Sequence, residues 1–105
     1  MGIQSEVFRA LSDPTRRAVF EQLARGETSV SELTARFDVS QPAISQHLAV
    51  LRRAKLVSER REGRHAYYRA EPHGLAPLID WIDRYQTFWH TRLARLKAVL
   101  KEIDE

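Results

Sequence analysis

Ser40-Gln41-Pro42-Ala43-Ile44-Ser45-Gln46-His47-Leu48-Ala49-Val50-Leu51 is the stretch on which the reading of this chain turns. Ser40 is placed to cap a helix, and Pro42 falls in its first turn, where a missing N–H costs nothing. Ile44, Leu48 and Leu51 then recur at helical spacing along one face. Just upstream, Asp38-Val39 makes a tight turn after a brief helix from Glu32 to Phe37, for which Ser31 is the expected N-cap. Leu33 and Phe37 lie four apart on its inner face. Two short helices abutting across a minimal turn are therefore predicted.

Downstream the period changes from helical to alternating. Val57-Ser58-Glu59-Arg60-Arg61 and His65-Ala66-Tyr67-Tyr68-Arg69 read as strands of a hairpin, a wing over about 57–70, with Gly63 supplying the positive φ of its turn. Pro72 and Gly74 close it. From Leu75 to Ile103 apolar residues recur every three or four positions, which predicts one long helix with Pro77 in its first turn. Upstream, Ile3, Val7, Phe8 and Leu11 fit a first amphipathic helix over about 3–11. A second, capped by Ser12 with Pro14 in its first turn, should run to Arg25 and stop at Gly26, burying Val19, Phe20 and Leu23. Thr28-Ser29-Val30 is short and β-leaning. The fold class that follows is mainly α with a small β-hairpin wing, a winged helix-turn-helix in one domain over 1–105.

Composition bounds the function. A chain of 105 residues, 43% hydrophobic and 30% charged, has room for one globular core. No apolar run nears the roughly 18 residues that span a bilayer, and Met1 to Ala10 lacks a basic-then-apolar leader layout, so a cytoplasmic protein is expected. The absence of cysteine removes disulfides, thiol catalysis and thiolate metal sites. Nothing suggests an enzyme: there is no glycine-rich phosphate loop, no HExxH, and no Ser and His with an evident orienting acid.

The net charge of +3 is modest, but its distribution is not. Arg52, Arg53, Lys55, Arg60, Arg61, Arg64 and Arg69 stand against only Glu59 and Glu62, a local charge of +5, so the rest of the chain sums to −2. Such clustering is costly unless a polyanion meets it. The second helix of a helix-turn-helix lies in the major groove, and here it offers Ser40, Gln41, Ser45, Gln46 and Arg52, with Pro42, Ala43 and Ala49 small enough for close approach. Gln can pair bidentately with adenine, Ser can bond a base edge or a phosphate, and Ala can meet a thymine methyl. Arg53, Arg60, Arg61, Arg64 and His65 suit phosphate contact or entry into a narrow minor groove. His47 is open between DNA contact and a structural role. Tyr67 and Tyr68 face opposite sides of a strand, so one should be core and the other available to a phosphate.

These motifs, with Leu11-Ser12-Asp13-Pro14-Thr15-Arg16-Arg17, Val30-Ser31-Glu32-Leu33 and Gly63-Arg64-His65-Ala66-Tyr67-Tyr68, resemble the ArsR/SmtB family of bacterial winged-helix repressors over nearly the whole chain. The resemblance implies a homodimer, joined through its first and last helices, that binds an inverted repeat in duplex DNA and represses transcription. Metal-sensing members often carry CxC where this chain has Ser29 and Ser31, and serine hydroxyls are poor ligands for soft metals. Others pair Asp and His with His and Glu across the last helices, whereas Asp80, Asp83 and a solitary His90 here lack that spacing. No metal and no cofactor are expected, and any effector is unidentified. A metal-responsive repressor with a non-cysteine site and a winged-helix module that binds protein instead of DNA are the alternatives. RNA binding is disfavoured, since folded RNA readers usually expose aromatic platforms that Tyr67-Tyr68 barely supplies.

The last helix supports dimerisation on its own account. Its stripe is longer than a core of this size needs, and Leu78, Trp81, Ile82, Tyr85, Phe88, Trp89, Leu93 and Leu96, with Val7 and Phe8, are the expected interface residues.

Overall fold

A computed structural model of the chain describes residues 2–104, apart from the side chains of Ile3, Gln4, Thr87 and Asp104. The expected place of Ile3 on an apolar face therefore lies outside the described side chains. Helix α1 (Ile3–Leu11) sends Val7 and Ala10 into the core, and α2 (Pro14–Arg25) crosses it with Val19 and Leu23 inward. The cap of α2 is Asp13 and not Ser12: Asp13 Oδ1 accepts the Arg16 N–H at 2.9 Å, while Ser12 ends α1 and donates its hydroxyl to the Arg9 carbonyl at 2.7 Å. Ser12 is still the C-cap of α1, so the first residue free to adopt the extended conformation of an N-cap is Asp13.

Strand β1 (Thr28–Ser29) runs directly into α3 (Val30–Phe37). Ser29, still extended, is its N-cap and accepts the Glu32 N–H at 3.1 Å, so the expected cap Ser31 is instead an exposed residue of the first turn. Asp38 adopts the left-handed conformation (φ 50°), which lets the chain reverse at once into α4 (Gln41–Arg53). Here the sequence reading holds: Ser40 Oγ accepts the Ala43 N–H at 3.2 Å, Pro42 sits in the first turn, and Ile44, Leu48 and Leu51 are buried. With Val7, Val19, Leu33 and Leu56 they form the centre of the core.

The wing is the antiparallel pair β2 (Val57–Glu62) and β3 (His65–Ala70). Glu62 pairs with His65 across a two-residue turn whose first residue, Gly63, has φ 61°. The β-leaning Thr28-Ser29 becomes a third strand against the other side of β3, giving the order β1-β3-β2 and fastening the wing to the body.

After β3 a short 3₁₀ turn (Pro72–Leu75) passes so close to the end of α4 that a Cβ on Gly74 would stand 2.2 Å from the Lys55 carbonyl oxygen. Only glycine fits there. Two helices follow where one was expected: α5 (Ala76–Arg84) and α6 (Gln86–Asp104). Tyr85 (φ −107°, ψ 3°) separates them, its N–H closing α5 on the Ile82 carbonyl at 3.0 Å. The apolar spacing continues through this break, which is why periodicity alone reads straight across it. α5 packs on α1 through an edge-on contact of Trp81 with Phe8, centroids 5.4 Å apart, whereas every described side chain of α6 is exposed. Among the described residues no helix is long and apolar enough to cross a membrane.

Candidate nucleic-acid interface

The first turns of α4 leave Gln41, Pro42, Ser45, Gln46 and Ala49 exposed and Ala43 half-buried, as a helix must that turns Ile44 and Leu48 inward. Gln41 and Ser45 form one wall of a cleft of about 240 Å³ whose other walls are Ser31 of α3 and Arg61, Arg64 and His65 of the wing. Six residues distant in sequence are thus gathered within one concave surface. Ser31 was not anticipated there. Its signal was its place just after the short strand on the exposed side of α3.

The floor of the cleft is Glu59, which the sequence reading counted only as a negative charge. Tyr68 donates its hydroxyl to Glu59, Arg61 Nε donates at 3.0 Å, and Arg52 Nη1 stands 3.8 Å away. The Tyr68 hydrogen bond first, then that of Arg61, holds the Glu59 carboxyl below its ordinary range. Burial, reinforced by Glu59, pushes the Tyr68 phenol up to about 12. Tyr68 is therefore the core tyrosine of the pair. Glu59 joins the end of α4 to the wing through Arg52 and Arg61.

The opposite face of the hairpin is different. Arg60 donates to both oxygens of Glu27, at 2.7 and 3.3 Å, and to Glu62 at 2.7 Å, while its guanidinium lies 4.7 Å from the Tyr67 ring centroid. The first of these bonds keeps Glu27 ionised below its usual range, and both carboxylates raise the pKa of Arg60. Arg69 similarly spends its Nε on Ser58 and Glu71. Arg60 and Tyr67, both candidates for DNA contact, thus point away from the cleft, with Arg60 doubly paired. Arg53 also stands apart, beside Glu6 and Arg9 of α1. His47 is half-buried and accepts a hydrogen bond at Nδ1 from Arg16 Nε at 3.4 Å, which ties α2 to α4. Arg64 carries no ion pair among the described residues.

The expected dimer residues fall into two groups. Val7 is fully buried within the chain's own core and Leu78 partly so, which leaves neither able to offer much further area. Phe8 on α1 and Trp81, Ile82, Tyr85, Phe88, Trp89, Leu93 and Leu96 along α5, α6 and the break between them are 40–56% exposed, joined by Ile79, Val99, Leu100 and Ile103. Among the described residues no three His, Asp or Glu side chains gather as a metal site would require.

A family profile described as a helix-turn-helix domain matches residues 11–60. The HTH-type transcriptional regulator Rv2034 of Mycobacterium tuberculosis is 46% identical over 89 residues, which cover 85% of this chain and 83% of that protein. The transcriptional repressor SdpR of Bacillus subtilis is 36% identical over 78 residues, 74% of this chain and 87% of its own. Among solved structures, that of an ArsR family transcriptional regulator superposes with a TM-score of 0.76 at 32% identity, covering 84% of this chain and 91% of its own.

Proposed function

Because this chain belongs to the ArsR/SmtB family of winged helix-turn-helix transcriptional regulators, DNA-binding proteins and not enzymes, we propose that it acts as a homodimeric repressor on an inverted-repeat operator. One observation carries the reading: the uncharged polar start of α4 and the cationic wing line the same cleft. Gln41, Ser45 and Gln46 read base edges, helped by the small residues Pro42 and Ala43, and Arg61, Arg64 and His65 hold the backbone beside them. Arg52 at the end of α4 belongs to the same clamp, whereas His47, Arg60 and Tyr67 serve the scaffold.

The dimer rests on the exposed apolar row of α5 and α6. A standard interface buries ~800 Å² per partner and is anchored by aromatics, and Trp81, Phe88 and Trp89 supply them. Two-fold symmetry then sets the half-sites one helical turn of DNA, or a multiple, apart. The chain has no cysteine, and Ser29 has its hydroxyl committed to capping α3, so a thiolate site for a soft metal is not part of this reading. Zinc or cadmium should leave operator affinity unchanged.

Selection of bound duplexes from a random pool tests the whole reading. A palindromic consensus is expected, bound with an affinity that falls steeply with salt as counterions are released. Equal affinity for selected and random duplexes at physiological salt would overturn it. Sedimentation should give a dimer at micromolar concentration that Trp89→Glu dissociates.

A further inference from the structure

We infer that a second cleft, formed where the end of α4, the 3₁₀ turn and the start of α5 meet, is a binding site for a small organic acid, one carboxylate on an aromatic or aliphatic body. The hollow is about 350 Å³, at the small end of the roughly 300–1,000 Å³ of small-molecule sites. Ala54, Gly74, Ala76 and Pro77 give it methyl groups, a ring and bare backbone, so the body of its ligand must be apolar. At the edge stand Lys55, His73 and Glu71, and their charges are not equally free. Glu71 Oε1 already accepts from Ser58 Oγ at 2.7 Å and from Arg69 Nε at 3.2 Å. Lys55 has no hydrogen bond or ion pair among the described residues. The unanswered charge is one ammonium, which an anion completes and a cation would oppose. The floor is fixed before anything binds. Lys55 closes α4 in the left-handed conformation (φ 65°), its N–H on the Arg52 carbonyl and that of Leu56 on the Leu51 carbonyl, each at 2.9 Å. The Glu71 N–H donates to the Leu56 carbonyl at 2.8 Å, and Gly74 lies against the Lys55 carbonyl where no Cβ fits. A site already ordered costs its ligand little conformational entropy. Glycine usually holds the left-handed position at a helix end, so the ammonium is carried there against the preference of the backbone.

A regulatory consequence follows, which, unlike the site itself, rests on the DNA reading proposed above. Ala54 and Lys55 close α4, the helix assigned to the major groove, and Ala76 and Pro77 begin α5, which carries part of the dimer row. A ligand lodged between two such elements favours the mutual arrangement that it fills best, and operator affinity changes with that arrangement.

The test titrates phenylacetate, phenylacetamide and 2-phenylethylamine, probes of similar shape and different charge, into the full chain at neutral pH without DNA. Phenylacetate should shift the amide resonances of Lys55, Gly74 and Ala76 saturably in the millimolar range. It should bind about threefold more tightly than phenylacetamide, as a part-exposed ion pair implies, with 2-phenylethylamine the weakest. Lys55→Gln should bring phenylacetate down to the affinity of the amide and leave the amide unchanged. Ala76→Trp, a change at an exposed position, should abolish binding of all three by filling the cleft. Equal affinity for the three probes, or a preference for the acid that survives Lys55→Gln, overturns the assignment to an acid. Shifts confined to the aromatic row of α5 and α6, or no saturable shift at all, overturn the site. With the site saturated, phenylacetate should alter the operator affinity of the wild type and not of Ala76→Trp. An unaltered affinity refutes the regulatory consequence alone, and a chain that binds no duplex at any salt refutes the repressor reading while the titration still judges the site.

Discussion

Arg60 and Arg61 are neighbours in the chain and opposites in the fold. Arg61 lies on the face of the wing that closes over α4, sharing Glu59 with Tyr68 and keeping its terminal nitrogens for what enters the cleft. Arg60 lies on the other face, held by Glu27 and Glu62 and resting over Tyr67. Register makes the difference: Glu59 is opposite Tyr68 and Arg60 opposite Tyr67, and successive side chains of a strand point to opposite sides. Counting cations in a segment therefore overstates what a polyanion can meet. On the proposed reading one face of this hairpin meets the duplex, and the other fastens the wing to the body.

The sharpest way to break that division is to remove cations from each face in turn. The double variant Arg61→Ala, Arg64→Ala removes two cations from each protomer of the proposed dimer, so it should weaken every duplex by at least about 30-fold and reduce the slope of log affinity against log salt by about 4, as measured by anisotropy over a salt series. Gln41→Ala should cost about tenfold on the selected operator while random duplex binds as before, because it reads a base and not the backbone. Arg60→Ala should change duplex affinity by less than about twofold and show instead as a small loss of thermal stability, as exposed ion pairs do. If Arg60→Ala matched the double variant, the two faces would not be distinct.

The smallest effect is one of pH. Glu27, Glu59 and Glu71 titrate below 4.5 when folded, so the unfolded chain takes up protons first as pH falls. Their contribution to stability is complete above about pH 4.5 and is lost as pH descends through the lower folded values. Glu59→Gln should flatten that acid limb more than Glu27→Gln, since its side chain is 13% exposed against 34% for Glu27. At the alkaline end the sign reverses. Tyr68 favours folding fully below pH 10, and this contribution fades as pH rises through about 12, a limb that Tyr68→Phe should remove. Thermal melts across pH read both.

What was legible in the sequence is what local chemistry decides. Ser40 with Pro42 announced the start of α4, and Gly63 announced the turn of the wing. Where two capping groups compete, local chemistry does not choose: Asp13 was hidden behind Ser12, and Ser29 behind Ser31, because the choice depends on where the preceding element releases the chain. The break at Tyr85 left no glycine or proline to mark it. The cleft was half visible. Its cations and its polar reader stood out, but the parity that sends Arg61 inward and Arg60 outward is a property of the sheet. The same parity settled Tyr68 as core, and only the tertiary contact with Arg16 gave His47 its place.

The order β1-β3-β2 leaves β2 as an outer strand of the sheet, with the free backbone groups that such a position carries. A strand of that kind invites its counterpart on another molecule to zip alongside, the first step toward aggregates. Along this rim run Glu59, Arg60, Arg61 and Glu62, whose like charges would be brought together if two rims met in antiparallel register, centred between Arg60 and Arg61. In that register, at least, the two rims repel one another.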